Sequence, residues 1–116
     1  MNKVTCYYFS GANGRMPAKE FIDSLSVKTQ AKFSFAKALL EAFGHRLPQP
    51  HAKYIGDDLF ELRFSGEEGA LRVLYFFFHR DKAVFTNGFL KKKNKTPRGE
   101  KRLAIERRKA FLAGQA

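Results

Sequence analysis

The sequence predicts one α+β domain in which two N-terminal helices pack on one face of an antiparallel four-stranded sheet. Three observations predict it. The chain has 116 residues, 44% of them hydrophobic, which is enough for one core and too little for two. Its strand-like and helix-like segments follow one another in the order β-α-α-β-β-β-α. Neither an internal repeat nor a long linker interrupts them, so we expect a single domain over residues 1–116.

The first half of the chain contains the first strand and both packing helices. The β-branched and aromatic side chains of residues 4–9 predict a strand. Pro17 fits the first turn of a short helix, because proline lacks the N–H that this turn leaves unbonded. Ser26 can cap a second helix and Gly44 can end it, with apolar residues recurring between them at helical spacing. We expect residues 45–51, which contain two prolines, to be a connector.

The second half contains the other three predicted strands. Residues 59–64 alternate apolar with charged side chains and predict a half-buried strand. The nearly continuous apolar run 70–79 predicts a central strand buried on both faces, and a further strand is expected at 83–90. Arg80 and Asp81 fit a two-residue turn between these last two strands.

Strand alternation assigns side chains to the two faces of the predicted sheet. If residues 65–70 form the hairpin loop, Phe64 lies opposite Leu71 and Arg63 lies opposite Arg72. The first face is then apolar and can pack against the two helices, whereas both arginines lie on the second face. The two-residue turn adds further side chains to this second face: Phe85, Asn87, Phe89 and Lys91.

A basic C-terminal helix, about residues 97–113, is the last predicted element. Thr96 and Pro97 have the pattern of an N-cap followed by a first helical residue. The second sheet face needs a cover, because it would otherwise expose a large aromatic surface: Leu74, Phe76, Phe78, Phe85 and Phe89. The cover is either this helix, through Leu103, Ala104 and Phe111, or a partner chain. We expect the helix to cover the end of the face at Phe76, Phe78 and Phe85.

The net charge predicts a polyanionic partner. Lysine and arginine number 22 against 11 acidic residues, a net charge of +11. Residues 89–116 hold ten of these cations and two acids, so the last quarter of the chain carries most of the excess. Such a charge favours nucleic acid, an acidic protein or an anionic membrane surface as the partner. A solvated helix face is the alternative interpretation.

Several classes of site are not expected. A single cysteine, Cys6, excludes an internal disulfide and a cysteine-built zinc site, and it suits a reducing cytosol. The three histidines are too scattered for a metal site. Asp57 and Asp58 have the pattern of a turn rather than of an acid–base pair. Residues 1–10 lack the apolar stretch of a signal peptide, and no apolar run is long enough to span a bilayer, so we expect a cytoplasmic protein.

One group of cations has the chemistry of a phosphate site. Four lysines follow the last strand: Lys91, Lys92, Lys93 and Lys95. In the predicted register they lie beside Arg63 and Arg72. Attack of an RNA 2′-hydroxyl on the adjacent phosphate develops negative charge on the phosphate oxygens, and fixed arginine and lysine groups can stabilise that charge. A solvated loop is the alternative.

Three segments resemble the RelE/ParE toxin superfamily and, more narrowly, its HigB-like, phage-derived branch. They are LFELRF at 59–64, LRVLYFF at 71–77 and NGFLKKKNKTP at 87–97. Members of this branch typically have LxELR, YRxxYxF and HGFxKKxxKTP, so Leu71 and Asn87 depart from the pattern. Asn87 stands where histidine is common, which argues against an imidazole acid–base role at this position. The resemblance covers about residues 18–111.

The resemblance implies a RelE-like fold and the toxin of a type II toxin–antitoxin system, acting as a metal-independent, ribosome-dependent mRNA endoribonuclease without a cofactor. By motif position, the catalytic residues would be Arg63, Arg72, Lys91 and Lys92. The cations expected to bind RNA are Lys93, Lys95, Arg98, Lys101 and Arg102. The implied partners are a cognate antitoxin, often of the helix-turn-helix type, the ribosome and mRNA, with no role for a membrane or a small-molecule cofactor. Two alternatives stay open: a non-enzymatic, ParE-like toxin that inhibits gyrase, and a phage-derived nucleic-acid-binding domain without catalysis.

Overall fold

The structure, a computed structural model, describes residues 3–115. Its helices are α1 (Pro17–Asp23), α2 (Val27–Phe43) and α3 (Arg98–Gly114), with a 3-10 turn at Gly44–Arg46. Its strands are β1 (Thr5–Tyr8), β2 (Ala52–Gly56), β3 (Leu59–Gly66), β4 (Gly69–Phe78) and β5 (Lys82–Leu90). Helices α1 and α2 pack on one face of the sheet, here called the first face, and α3 packs on the other, the second face.

The strands form one mixed sheet in the order β1-β5-β4-β3-β2. The α+β class and the antiparallel succession β3-β4-β5 are confirmed, but the four-stranded, wholly antiparallel layout is wrong in two respects. A fifth strand, β2, follows the predicted connector and pairs antiparallel with β3. In addition, β1 pairs with β5 in the parallel direction, which is possible because a long crossover connection joins them.

A tight turn joins β2 to β3. Its central residues, Asp57 and Asp58, both have positive φ, 55° and 62°, as a two-residue hairpin turn requires. Aspartate tolerates this left-handed region better than most residues do. The prediction that these two acids form a turn is therefore confirmed.

Helix α2 begins and ends where predicted. Ser26 Oγ accepts a hydrogen bond from Thr29 N at 3.2 Å, and Gly44 ends the helix with φ at 55°. The carboxylate of Glu68, in the β3–β4 turn, accepts further hydrogen bonds from Thr29 Oγ1 and Ser26 N. These bonds hold the pKa of Glu68 below its usual range. The start of α2 is thus fixed to the hairpin that it packs against.

The register between β3 and β4 follows the prediction, with Phe64 opposite Leu71 and Arg63 opposite Arg72.

Cys6 packs against the first-face core, and burial raises the pKa of its thiol to about 12. The thiol is therefore protonated at neutral pH, and the prediction of a packed cysteine is confirmed. The first-face core includes Ile22, Phe33, Leu40, Leu62, Val73 and Tyr75.

The turn between β4 and β5 is one residue longer than predicted. Residues 79–81 connect the two strands, so Tyr75 lies opposite Phe85. A β-bulge then inserts Thr86 into β5. From Leu74 back to the start of β4, the pairing with β5 follows the predicted register. Phe85 consequently belongs to the first-face core, and its predicted place on the second face is wrong.

Helix α3 covers the second face of the sheet, as predicted. Phe111 packs edge-to-face against Phe76 and Phe78. The prediction for Leu103 is wrong, because this residue is 39% exposed and Ile105 packs there instead. The second-face core includes Leu59, Leu74, Phe76, Val84, Phe89 and Ala104. Within residues 3–115, no helix combines the length and the apolar character needed to cross a membrane.

Candidate active site

Three charged side chains meet on the second face where β3 and β4 run side by side. Arg63 and Arg72 are cross-strand neighbours, and Glu61 precedes Arg63 by two residues on the same face. Glu61 Oε1 lies 3.2 Å from Arg63 Nε and 3.5 Å from Arg72 Nε. One carboxylate therefore holds together two arginines that would otherwise repel each other. We call these three residues the arginine cluster.

Burial sets the electrostatics of the arginine cluster. The side chains of Glu61 and Arg72 are only 5% and 9% exposed, and that of Arg63 is 21% exposed. Desolvation lowers the pKa of Arg72, Glu61 acts to raise it, and Arg63 lowers it. The guanidinium still keeps its charge at neutral pH, because arginine is not deprotonated in proteins. The result is a fixed cation in a partly dehydrated setting, where its attraction to a phosphate is stronger than in water.

The two arginines approach Glu61 with Nε rather than with the fork of Nη atoms. Arg72 Nη1 donates to the Leu71 carbonyl at 2.8 Å, which fixes the guanidinium against the strand. Arg72 Nε is buried and has no hydrogen-bond partner within residues 3–115. The fork of Nη atoms is the part of arginine that binds a phosphate through two hydrogen bonds, and Glu61 does not occupy it.

The lysine loop, residues 91–97, is attached to the strands near both of its ends. Lys91 N donates to the Ala70 carbonyl at 2.8 Å. Thr96 Oγ1 donates to Glu61 Oε2 at 2.8 Å, so the loop returns to the arginine cluster before α3 begins. These two bonds keep the lysine loop beside the arginines.

The start of α3 differs from the prediction. The helix begins at Arg98, with Pro97 in the N-cap position and no side-chain cap. The predicted N-cap role of Thr96 is wrong, because its hydroxyl binds Glu61 instead. Thr96 therefore attaches the lysine loop to Glu61 on β3 instead of capping α3.

Asn87 links β5 to the first turn of α3. It is buried, and its Nδ2 donates to the backbone carbonyl of Glu100 at 3.2 Å and to Glu100 Oε1 at 3.0 Å. Its Oδ1 is buried without a partner among the described residues. These contacts position the helix.

A pocket of about 240 Å³ opens beside the arginine cluster. It brings together three of the predicted site residues, Arg63, Lys95 and Lys101. It also contains Lys53, which was missed because it lies on β2, a strand absent from the predicted sheet. Residues 52–56 show no regular alternation of apolar and polar side chains, so no local signal in the sequence placed Lys53 at the site. The residues that line the pocket are Lys53, Ile55, Glu61, Arg63, Asn94, Lys95, Thr96 and Lys101.

The other predicted cations lie outside the lining of this pocket. Arg72 is buried on the sheet, and Lys91 is half-buried at the start of the lysine loop. Lys101, which does line the pocket, also pairs through Nζ with Asp57 Oδ2 at 3.1 Å. Part of its charge therefore holds α3 against the β2–β3 turn. Of the predicted cations outside the lining, the exposed ones are Lys92, Lys93, Arg98 and Arg102; Lys95, in the lining, is exposed as well.

Replacing Glu61 with glutamine should destabilise the protein, because it leaves Arg63 and Arg72 opposite each other without a counter-charge. Removing one partner of a buried ion pair costs about 3–5 kcal/mol, but Arg63 is 21% exposed and solvent screens it, so we expect about 1–2 kcal/mol. Urea unfolding measures the change. The double variant Glu61→Gln/Arg63→Gln should recover part of the loss, since it removes the repulsion. A further loss in the double variant would contradict this account of the cluster.

The site supplies fixed positive charge and hydrogen-bond donors. Arg63, Lys95 and Lys101 line the pocket, and Arg72 is next to Arg63 on the neighbouring strand. Such groups can hold a phosphate and stabilise the charge that develops on its oxygens during phosphoryl transfer. Within residues 3–115, no group of three or more histidine, cysteine or acidic side chains is placed to hold a metal ion.

Comparison with known families covers most of the chain. Residues 20–109 match the family described as "Phage derived protein Gp49-like (DUF891)". This family belongs to the RelE/ParE-like toxin superfamily, which has endoribonuclease members, so the predicted superfamily is confirmed. The HigB-like branch within it stays a prediction. The matched residues include the arginine cluster and the lysine loop. A comparison with curated proteins gives no match.

Proposed function

Because the chain belongs to the Gp49-like family of phage-derived proteins, within the RelE/ParE-like toxin superfamily, we propose that it is the toxin of a type II toxin–antitoxin system and cleaves mRNA on the ribosome. The arginine cluster beside the lysine loop is the observation that carries the proposal. It concentrates cations beside a pocket, and the pairing with Glu61 uses the Nε atoms of the two arginines. The motif NGFLKKKNKTP at 87–97 supports the HigB-like branch.

The proposed reaction is an in-line attack of a ribose 2′-hydroxyl on the adjacent phosphate. The O2′–P bond forms and the P–O5′ bond breaks, which leaves a 2′,3′-cyclic phosphate and a 5′-hydroxyl end. The 2′-hydroxyl gives its proton to a solvent water, and the leaving 5′-oxygen takes one up. Arg63 and Arg72 would bind the phosphate oxygens and stabilise their developing charge. Lys91 or Lys92 would donate a proton or a hydrogen bond to the leaving oxygen.

The exposed cations would hold the rest of the RNA. Lys93, Lys95, Arg98 and Arg102 extend from the lysine loop into the first turns of α3. Contacts of this kind bind the phosphate backbone without regard to sequence and weaken as salt concentration rises. Lys101 would contribute less, because it is paired with Asp57.

We propose a cognate antitoxin, of the helix-turn-helix type, as the protein partner. Its acidic side chains would approach the cationic end of the second face, near Arg63, Arg72 and Lys91. A net charge of +11 would make this association fast and sensitive to salt. The proposed place of action for toxin, ribosome and mRNA is the cytoplasm.

The test is mRNA cleavage by the purified protein on purified ribosomes, with the new ends mapped chemically. We expect 2′,3′-cyclic phosphate and 5′-hydroxyl ends, and no cleavage where the attacking nucleotide carries a 2′-deoxyribose. Cleavage should also continue in excess EDTA when polyamines keep the ribosomes intact, since the proposed charge stabilisation comes from side chains. Ends bearing a 5′-phosphate would contradict the mechanism. Inhibition of gyrase supercoiling without mRNA cleavage would replace the proposal with the gyrase alternative.

A further inference from the structure

A second groove, of about 410 Å³, opens at the edge of the sheet and shares Arg63 with the pocket of the candidate active site. It lies between helix α2 and the end of β3. We call it the edge groove. Its lining combines two aromatic rings with cationic side chains and includes Lys32, Phe35, His51, Arg63, Phe64 and Ser65.

The edge groove exists because β2 is shorter than the strand that it pairs with. The pairing ends where Arg63 N donates to the His51 carbonyl at 2.8 Å, just before β2 begins at Ala52. Strand β3 continues to Gly66, so no strand of residues 3–115 lies beside its last residues on that edge. The opening lies between this end of β3 and α2, and its lining shares Arg63 with the active-site pocket.

The exposed ring of Phe35 is not needed for packing. Helix α2 faces the sheet with Phe33, Ala36 and Leu40, whereas Phe35 is 65% exposed. Phe64 is half-buried and its ring lies 5.5 Å from that of Phe33, which makes it a fixed wall of the groove. The groove therefore presents one accessible aromatic face beside a rigid one.

Aromatic rings interleaved with cations are the features that bind single-stranded nucleic acid, because bases stack on the rings while cations hold the phosphates. Lys32 is exposed at the groove, and Arg63 reaches both the groove and the active-site pocket. The net charge of +11 favours RNA over a basic or neutral ligand. Because Arg63 is common to both linings, we infer that a strand whose phosphate contacts Arg63 can place a neighbouring base at the edge groove.

We propose that the edge groove binds a nucleobase of the RNA strand next to the scissile phosphate, stacked on Phe35. This inference rests on the proposed function for its ligand. Its test does not require the ribosome or cleavage.

The experiment measures binding of an unstructured ten-nucleotide RNA by fluorescence anisotropy at low salt. Phe35→Ala should weaken binding by about fivefold or more, the effect of losing one stacked base. Phe35→Tyr keeps the ring and should bind like the unchanged protein. The matched control is Phe43→Ala, because Phe43 is 50% exposed on the same helix and lies outside the groove lining. Both alanine variants should keep their unfolding midpoint, since both rings are exposed.

Abasic substitutions along the RNA then show which base is bound. One abasic position should weaken binding to the unchanged protein and have no effect on Phe35→Ala. Equal RNA affinity for Phe35→Ala and the unchanged protein would overturn the inference. So would a Phe35→Ala variant that binds RNA normally but loses its protein partner, which would make the groove a protein-docking surface.

The two proposals fail in different ways. If substitutions of Arg63 and Arg72 stop mRNA cleavage while Phe35→Ala leaves RNA binding unchanged, the proposed function stands and the groove inference falls. If Phe35 is coupled to one base but the unchanged protein does not cleave mRNA, the groove binds RNA and the endoribonuclease assignment falls.

Discussion

The variant Arg72→Ala should lose mRNA cleavage and growth arrest while keeping its fold. Arg72 is the more buried of the two arginines, with its guanidinium fixed by the Leu71 carbonyl at 2.8 Å. Its removal deletes a pre-oriented cation from the place where phosphate charge would develop, an effect of about 10²–10³-fold in rate. The fold should survive, because Glu61 keeps hydrogen bonds from Arg63 and Thr96.

Single-turnover cleavage on ribosomes measures this effect, with circular dichroism as the check on folding. Arg46→Ala is the control, since Arg46 is exposed on the 3-10 turn that follows α2. If Arg63 and Arg72 hold the same phosphate, the double alanine variant should be little worse than either single one. A folded Arg72→Ala protein that still cleaves would remove Arg72 from the proposed site.

The variant Gly88→Ala should be strongly destabilised. A Cβ atom at Gly88 would lie 2.3 Å from Cδ2 of Phe21, because α1 packs its ring directly on the backbone of β5. Gly88 is held opposite Val73 in the sheet, so it cannot move away without disturbing the β4–β5 pairing. Overpacking of this kind costs about 1–3 kcal/mol, and we expect the upper end of that range here.

Chemical denaturation measures the loss of stability. Gly99→Ala is the matched control, because no atom of the described residues lies within 4 Å of a Cβ atom at Gly99. This substitution should be neutral or slightly stabilising. In a double-mutant cycle with Phe21→Ala, the cost of Gly88→Ala should nearly vanish, since the clash is with that ring. A cost that stays the same without the ring would point to the strand rather than to the contact.

The parts of the fold that could be predicted are those with a local signal. The alternation in β3, together with a hairpin loop at residues 65–70, placed Arg63 opposite Arg72, because a one-residue slip would expose the apolar face of β3. Strand β2 gave no such signal: it is an edge strand of five residues, and Lys53 and Tyr54 are exposed. The parallel direction of β1 depends on where β5 lies in the finished sheet, which no local pattern specifies.

The residues of the candidate site that could be predicted are likewise those with a local signal in the sequence. The arginines followed from strand alternation and the lysines from the charge run, but the partner of Thr96 did not. A threonine before proline fits an N-cap pattern, and only the folded chain brings it to Glu61. Lys53 and the edge groove depend on where β2 starts, so they could be seen only in three dimensions.

The bulge at Thr86 compensates for the length of the β4–β5 turn, so this length does not change the strand pairing beside Arg72. The turn at residues 79–81 shifts the pairing of β5 by one residue, and the bulge reverses that shift before Phe89 pairs with Arg72. Thr86 Oγ1 donates to the Leu74 carbonyl at 3.3 Å, and the Thr86 carbonyl accepts from Arg107 Nη1 at 3.2 Å. A change in the length of the hairpin tip can therefore be absorbed at the bulge, without moving Phe89 from its place opposite Arg72.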